Sequence, residues 1–201
     1  NLPKIFSNKS QKYKLKQFIH ISALGIENAV DSKYATSKLQ GEKNVIENFS
    51  NATILRPSVI YSVDDNFTTN LMTLLSLLPI FPLYYNGNTK FSPIHVSDFC
   101  EIVLKVIDNN ISSDIIECVG PEELSFKEII KKLLMLINKK RLLIPFPIQI
   151  AKILAFFLEK FPKPLITNDQ LTLLKYDNIL SNKNKSNIDI GCKANLKFYD
   201  E

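Results

Sequence analysis

The pattern of apolar and polar positions predicts secondary structure most clearly in the first sixty residues. A short apolar run at 17–22 predicts a buried strand, and a second run at 52–57 ends in a proline, which cannot donate to a sheet ladder. Residues 33–49 carry apolar side chains at helical spacing, with Asp31 or Ser32 as the N-terminal cap. Strand, helix and strand together predict a right-handed parallel βαβ unit.

The helix predicted over residues 33–49 has two neighbouring stripes. The stripe expected to face the core contains Ala35, Leu39, Ile46 and Phe49. The adjacent stripe contains Tyr34, Lys38, Gly41 and Val45. We expect Gly41 to permit close packing rather than chemistry.

The rest of the chain predicts further alternation of helices and strands. The expected elements are a helix over 66–78, a turn-rich connection over 82–87, a strand over 91–96, a helix capped by Ser97 and Asp98 and ending near 107, a strand over 115–119, a helix that starts at the capping box Ser125–Glu128 and ends near 139, and a polar loop over 181–187.

Residues 142–161 form the most apolar segment of the chain. Two prolines, a glutamine and a lysine interrupt it, so the uninterrupted run is shorter than the roughly 20 residues that a membrane-spanning helix needs. The segment is either a buried helix of a small lobe or a surface that meets lipid or a partner.

Composition narrows the class of protein. The 201 residues are 45% apolar and 22% charged, which is typical of a globular protein, and the net charge of +5 comes from scattered lysines. The basic stretches at 9–16 and 139–141 do not interleave aromatic and base-reading side chains, so we expect no nucleic-acid partner. Three widely spaced cysteines and two histidines predict a reducing compartment and argue against a disulfide framework or a metal site.

Three side chains suggest hydride-transfer chemistry. Ser22 follows the first strand, and Tyr34 and Lys38 lie four residues apart on the next helix. Ligands of open α/β sheets bind beyond the carboxyl ends of strands, where Ser22 is expected. There Tyr34 would act as the acid or base, Lys38 would lower the pKa of its phenol, and Ser22 would donate to a developing alkoxide.

Three other polar residues have a structural and a functional interpretation. His20 and His95 both sit in predicted strands, where a hydrogen-bonded core or interface role is favoured over catalysis. Arg56 ends the second strand and would meet either a substrate phosphate or a local carboxylate.

These residues resemble the extended short-chain dehydrogenase/reductase family, of the nucleotide-sugar epimerase and dehydratase type. The resemblance rests on the stretches 18–23, 34–42, 55–61 and 93–98. The stretches 164–171 and 174–178 narrow it to the atypical branch that contains the nucleotide-binding accessory subunit of respiratory complex I and its bacterial relatives.

The resemblance implies an α/β fold, with the C-terminal part of a doubly wound Rossmann sheet at residues 1–62 and a mixed region at 63–201. That second region would contain a returning strand and helix (91–107) and a small, mostly helical lobe. By the same resemblance Ser22, Tyr34 and Lys38 match the catalytic trio. NAD or NADP, with NADPH slightly favoured, would be held by the residues Tyr34, Lys38, Pro57, Ser58, Val59 and Ile60.

Two departures from the family pattern change the expectation. Ser62 stands where relatives carry glycine, and no glycine-rich turn is present to bind a pyrophosphate. We therefore expect residues 1–201 to be the C-terminal part of a longer protein, unable to bind the cofactor well alone.

Two functions remain open at this point. One is a dinucleotide-binding accessory or assembly factor of complex I, cytoplasmic or peripheral on the inner membrane, with complex I subunits or the membrane surface as partners. The other is an active NAD(P)-dependent reductase, epimerase or dehydratase acting on a nucleotide sugar or another carbonyl or hydroxyl substrate.

Overall fold

The computed structural model describes residues 2–162, 164 and 166–199. Leu165, in the stretch 164–171 that carries the narrower resemblance, lies outside the described residues. The helices are α1 (Leu2–Lys12), α2 (Lys33–Asn48), α3 (Asn66–Leu77), α4 (Val96–Asp108), α5 (Phe126–Leu136), α6 (Ile148–Leu158) and α7 (Asn168–Leu173). The strands are β1 (Ile19–Ile21), β2 (Thr53–Pro57), β3 (Ile60–Tyr61), β4 (Ile80–Leu83), β5 (Lys90–Phe91), β6 (Ile94–His95), β7 (Ile115–Cys118), β8 (Leu124–Ser125), β9 (Leu142–Pro145) and β10 (Lys185–Ser186).

The main sheet is parallel throughout, in the order β1-β2-β7-β10. Ile19 of β1 pairs with Thr53, and Leu55 of β2 pairs with Ile116. Within the described residues β1 has a neighbour on one side only and forms an edge of this sheet. The predicted parallel βαβ unit β1-α2-β2 is confirmed.

Helices cover both faces of this sheet. Ile54 packs with Val45 and Phe49 of α2, whereas the next residue, Leu55, packs with Phe99 and other residues of α4. Successive side chains of a strand point to opposite faces, so α2 and α4 lie on opposite sides of the sheet. The predicted α/β class with a doubly wound parallel sheet is confirmed.

Strand β3 and several of the elements that follow it build a second core. Its buried members come from β3, α3, β4, α5 and the C-terminal residues, with Leu75, Ile129 and Phe198 among the most buried. Lys139 and Arg141 donate to the last carbonyls of α3, so their cations lie at the negative end of a helix dipole. The connection predicted over 82–87 is wrong in part, because residues 80–83 are a strand paired in parallel with β9.

Several local predictions need correction. Ile46 is exposed, and α2 instead buries Gly41, Glu42, Asn44 and Val45. His95, rather than Ser97 or Asp98, caps α4 by accepting from the amide of Ser97. The strand predicted over 91–96 is broken into β5 and β6, which join different partners.

The polar loop predicted over 181–187 is partly ordered as β10. Its anchor is Glu117 of β7, a buried carboxylate that accepts from Ser181 and from the side-chain amide of Asn184. A buried charge is tolerated when several donors surround it, so Glu117 fixes this segment against the sheet.

The backbones at Gly120 and Pro93 cross closely. The amide of Gly120 donates to the carbonyl of Ser92 at 3.1 Å, and a Cβ at position 120 would lie 1.7 Å from the Pro93 oxygen. Only a glycine allows this approach. The crossing brings the start of β6 next to the end of β7.

The apolar segment 142–161 forms β9 and α6 and is only half buried. Ala151 and Ala155 of α6 pack with Leu171 of α7. The large side chains are exposed and define what we name the α6 face: Ile150, Ile153, Leu154, Phe156 and Phe157. No helix within the described part of the chain is long and apolar enough to cross a bilayer.

Candidate functional site

The start of α2 and the end of β1 bring two of the three predicted catalytic side chains together. Ser32 caps α2 by accepting from the amide of Ala35, which fixes the first turn where Tyr34 lies. Lys38 follows one turn later, with its Nζ 5.7 Å from the centroid of the Tyr34 ring. The same ammonium donates to the carbonyl of Ile21 at 3.5 Å, next to Ser22. Tyr34 and Lys38 therefore share a helix face directed at the carboxyl end of β1.

Ser22 continues the sheet ladder beyond β1. Its amide donates to the carbonyl of Leu55 at 2.7 Å, and its side chain is buried, with 4% of the residue exposed. Its hydroxyl has no hydrogen-bond partner within the described part of the chain. A buried polar group without a partner is costly, and at a strand end it is a ready donor for a ligand.

The segment Pro57 to Ile60 lies beside Ser22. Leu24 donates its amide to the carbonyl of Pro57 at 2.9 Å, so the loops after β1 and β2 run together. The Ser58 hydroxyl donates to the side-chain oxygen of Asn178 at 2.6 Å and is therefore engaged within the chain. Val59 accepts from Ile94, and Ile60 starts β3. This segment offers a ligand mainly backbone and apolar surface.

Electrostatics distinguish Tyr34 from an activated catalytic phenol. Burial raises the pKa of Tyr34, although the residue is 45% exposed. A general base at neutral pH would need the opposite shift. The prediction that Lys38 lowers the pKa of Tyr34 is therefore wrong for the chain by itself, because burial sets the direction of the shift.

His20 lies two residues before Ser22, on the same side of β1. Burial lowers the pKa of His20, Lys38 lowers it further, and Glu42 opposes both. Its Nε2 faces Gly41, where a Cβ would sit 3.6 Å away, and has no hydrogen-bond partner among residues 2–162, 164 and 166–199. The expectation of a hydrogen-bonded histidine is wrong at this nitrogen, whereas close packing at Gly41 is confirmed.

Arg56 joins α2 to β2 beneath the site. Its guanidinium donates two hydrogen bonds to Glu42, at 2.9 and 2.7 Å, and lies 3.0 Å from a carboxylate oxygen of Glu27. Burial disfavours the charge of Arg56, but the two carboxylates outweigh it and raise the pKa of the guanidinium. The carboxylate interpretation of Arg56 is confirmed.

Sequence reasoning missed two residues that support the site. The carboxylate of Asp169, on α7, accepts from the backbone amides of Lys33 and Tyr34. Asn178 donates to the carbonyl of Leu24 at 2.6 Å and accepts from Ser58. More than a hundred residues separate these partners along the chain, so no local pattern indicates the contacts. Their one signal is the resemblance carried by the stretches 164–171 and 174–178.

The second departure from the family pattern, a serine at position 62 where relatives carry glycine, is explained by the backbone. Ser62 donates its amide to Asp65 at 3.2 Å and is absent from the residues with positive φ within the described chain. The backbone at position 62 therefore does not require glycine.

Taken together, the site presents a buried hydroxyl, a half-exposed phenol and an ammonium at the carboxyl end of a parallel strand. All three groups can donate hydrogen bonds, so they fit the ribose hydroxyls and the carboxamide of a nicotinamide nucleotide bound at a strand end. The described residues contain no glycine-rich turn for a pyrophosphate, and this part of the fit has no counterpart in the chain.

Comparison with known sequences gives homologues among subunits of mitochondrial NADH dehydrogenases. The NADH-ubiquinone oxidoreductase 40 kDa subunit of Neurospora crassa is 26% identical over 195 residues, which cover 94% of this chain and 51% of that protein. The alpha subcomplex subunit 9 of Arabidopsis thaliana is 26% identical over 178 residues, covering 83% of this chain and 44% of that protein. The chain thus spans about half the length of these relatives.

Comparison with solved structures gives the same fold in enzymes that were crystallised with NAD or NADP. The enzyme WbmG of Bordetella bronchiseptica, in complex with NAD, matches with a TM-score of 0.64 at 12% identity over 98% of this chain and 59% of that one. A UDP-glucuronic acid 4-epimerase of Bacillus cereus, in complex with NAD, matches with a TM-score of 0.59 at 19% identity over 95% of this chain and 64% of that one. A dTDP-4-dehydrorhamnose reductase of Bacillus anthracis, in complex with NADP, matches with a TM-score of 0.58 at 20% identity over 74% and 57%.

No family model matches the chain. The relatives nevertheless confirm the predicted similarity to the complex I subunits, and the solved structures confirm the predicted fold.

Proposed function

We propose that the full-length protein binds a nicotinamide dinucleotide at the carboxyl ends of β1 and β2 and serves as an accessory or assembly subunit of a complex I type NADH dehydrogenase. One observation supports the binding site most directly. The ammonium of Lys38 lies beside the Tyr34 ring and donates to the carbonyl of Ile21, directly before Ser22, whose buried hydroxyl has no partner among the described residues. The sequence relatives support the accessory role.

Each group has a defined task in this proposal. Lys38 and Tyr34 would bind ribose hydroxyls, Ser22 would donate to the carboxamide or to a substrate oxygen, and the backbone of Pro57, Ser58, Val59 and Ile60 would line the nicotinamide. The dinucleotide, when bound, supplies hydride-transfer chemistry. Its pyrophosphate would be held by a glycine-rich turn outside residues 1–201. In the same proposal, residues 1–62 are part of the dinucleotide-binding domain and residues 63–201 form the mixed region with the small lobe.

NADPH is the favoured form of the dinucleotide, on the family resemblance alone. Titration of the full-length protein with NAD, NADH, NADP and NADPH, followed by nucleotide fluorescence or calorimetry, tests this choice. The assigned site is supported if binding weakens in Lys38→Ala and survives in Glu128→Ala, which alters the start of α5 and none of the proposed binding residues. No binding of any of the four nucleotides would overturn the dinucleotide proposal.

The sequence relatives, which are subunits of NADH dehydrogenases, favour the accessory role over turnover of a separate substrate. In this accessory role the full-length protein would co-purify with NADH dehydrogenase subunits from solubilised membranes. Its absence from such fractions would count against the role.

An active oxidoreductase remains the second candidate, because the whole Ser22, Tyr34 and Lys38 set is present at one strand end. In that case Tyr34→Phe abolishes turnover of a carbonyl or nucleotide-sugar substrate and leaves dinucleotide affinity unchanged. Turnover that persists in Tyr34→Phe would exclude Tyr34 as the acid.

The α6 face supports peripheral attachment to the membrane next to such a complex. Its aromatic side chains are exposed at 58% for Phe156 and 57% for Phe157, and the ammonium of Lys160 lies 5.3 and 5.5 Å from their rings. Apolar and aromatic surface next to lysine is typical of contacts with anionic lipid headgroups.

Liposome flotation tests this attachment. Vesicles that contain phosphatidylglycerol should float the wild-type protein, and Phe156→Asp with Phe157→Asp should abolish flotation without changing the unfolding midpoint. The matched control is Leu104→Asp, which alters an exposed apolar residue of α4 outside the α6 face. Equal flotation of all three proteins would contradict membrane contact through α6.

A further inference from the structure

The segment 167–178, which we name the C-terminal clasp, contacts the site from two directions. It starts with the capping box of Thr167 and Gln170, continues through α7 and ends at Asn178. Asp169 meets the start of α2, and Asn178 meets the loops after β1 and β2. A segment more than 130 residues downstream thus touches both elements that carry the trio.

The contact at α2 is charged and has three donors. Asp169 accepts from the amide of Lys33 at 2.7 Å, from the amide of Tyr34 at 3.0 Å and from the hydroxyl of Ser32 at 3.2 Å. The first amides of any helix lack partners within the helix, and a carboxylate there is favoured by the helix dipole. The first turn of α2 has no acidic residue of its own, so Asp169 supplies the charge from elsewhere in the fold.

We propose that Asp169 is a positioning residue of the dinucleotide site, which holds the first turn of α2 so that Tyr34 meets the ligand in a fixed orientation. The inference rests on the proposed dinucleotide function but concerns a residue that holds the backbone of α2 rather than one proposed to bind the ligand. Without the carboxylate, the amides of Lys33 and Tyr34 lose their partners and the first turn frays. Lys38, one turn further into α2, stays in place.

Asn178 supports the same site independently of the charge. Its amide group bridges the carbonyl of Leu24 and the hydroxyl of Ser58, and its backbone pairs with Lys90 and Ser92. Gly25 makes room for this contact, since a Cβ there would lie 2.8 Å from the carbonyl of Asp177. The clasp therefore holds the loop after Ser22 at one end and the turn with Tyr34 at the other.

The test compares Asp169→Ala and Asp169→Asn with Glu128→Ala in the full-length protein. Glu128 accepts from Ser125 in the capping box of α5, so its loss damages a helix start of the same kind that belongs neither to α2 nor to the clasp. We expect Asp169→Ala to weaken NADPH affinity about tenfold, which corresponds to about 1.4 kcal/mol, and Asp169→Asn to weaken it less because one acceptor oxygen remains. Glu128→Ala should leave the affinity unchanged at a similar loss of thermal stability.

Hydrogen exchange supplies a readout that does not depend on binding. In Asp169→Ala the amides of residues 33–36 should exchange faster, while those of α5 keep their wild-type protection. Equal affinity losses in Asp169→Ala and Glu128→Ala, or unchanged exchange at 33–36, would overturn the positioning role. Failure of the wild-type protein to bind any dinucleotide would instead overturn the proposed function, and the exchange data alone would then decide whether Asp169 holds α2.

Discussion

Strand β2 and helix α6 both carry large apolar side chains, yet the fold treats these side chains in opposite ways. All five residues of β2 are buried, between strands on both sides and helices on both faces. Helix α6 buries two alanines, packs Ile148 partly against them, and turns the five large side chains of the α6 face outward. In a helix that only completes a core, the large side chains would face inward.

The difference teaches that hydrophobicity predicts a need for contact but not its location. Strand β2 satisfies that need within the chain, whereas α6 uses its small residues to approach α7 and leaves its large ones for another surface. A contiguous exposed apolar face of this kind marks an interaction site. Four predictions test the contrast, in order of decreasing effect.

The largest effect should appear within α6 itself. Ala155→Asp places a carboxylate among Ala151 and Leu171, where it has no partner, and we expect it to cost about 4 kcal/mol or more of unfolding free energy. Phe156→Asp, on the adjacent exposed position, should stay within about 0.5 kcal/mol of wild type. Denaturant unfolding of the full-length variants measures both, and similar losses would show that the α6 face is buried in the free protein.

The second prediction compares matched truncations in the two regions. Leu55→Ala removes a fully buried side chain that packs between β7 and α4 and should cost about 3 kcal/mol. Phe157→Ala removes a larger side chain from α6 and should change stability by less than about 0.5 kcal/mol. The contrast fails if Phe157→Ala proves the more destabilising of the two.

The third prediction concerns the buried ion pair that joins α2 to β2. Glu42→Gln leaves the guanidinium of Arg56 with only the partly exposed Glu27 as a charged partner and should cost about 3 kcal/mol. The control is Asp114→Asn, which breaks the more exposed pair with Lys185 and should cost less than about 1 kcal/mol. A smaller loss in Glu42→Gln than in Asp114→Asn would mean that the pair is not buried as described.

The smallest effect is a pH dependence at the edge strand. The lowered pKa of His20 in the folded protein means that the unfolded chain binds more protons between that pKa and the ordinary value of about 6.5. The contribution of His20 to stability is therefore present above pH 6.5 and is lost as the pH falls below it. His20→Gln should flatten the stability profile between about pH 7.5 and 5.5, with His95→Gln as the control; flattening in the control alone would contradict the assignment.

Local sequence signals accounted for much of the fold. The cap at Ser32 and the capping box at Ser125 and Glu128 depend on residues three positions apart, and the parallel βαβ unit follows from three consecutive periodic segments. Ile46 was assigned to the core because helical spacing does not tell which of two neighbouring stripes meets the sheet. Glu42 and Asn44 are buried instead, since Glu42 pairs with Arg56 of β2 and the carbonyl of Asn44 accepts from Ser7 of α1.

The site was predictable only in part, for the same reason. Ser22, Tyr34 and Lys38 lie within seventeen residues and form a recognisable spacing, whose catalytic meaning stays a prediction. Asp169 and Asn178 reach that site across more than 130 residues, and the pairing of β4 with β9 spans about sixty. Such contacts depend on the global chain path, which short-range periodicity does not encode.

The close crossing at Gly120 gives a sequence marker for this chain path. Any residue larger than glycine there would force the main chain at Pro93 to move, and β6 and the start of α4 would move with it. Homologues that retain the crossing should therefore keep glycine at the corresponding alignment column, whereas a substitution would identify a branch in which the route from β5 to α4 has diverged.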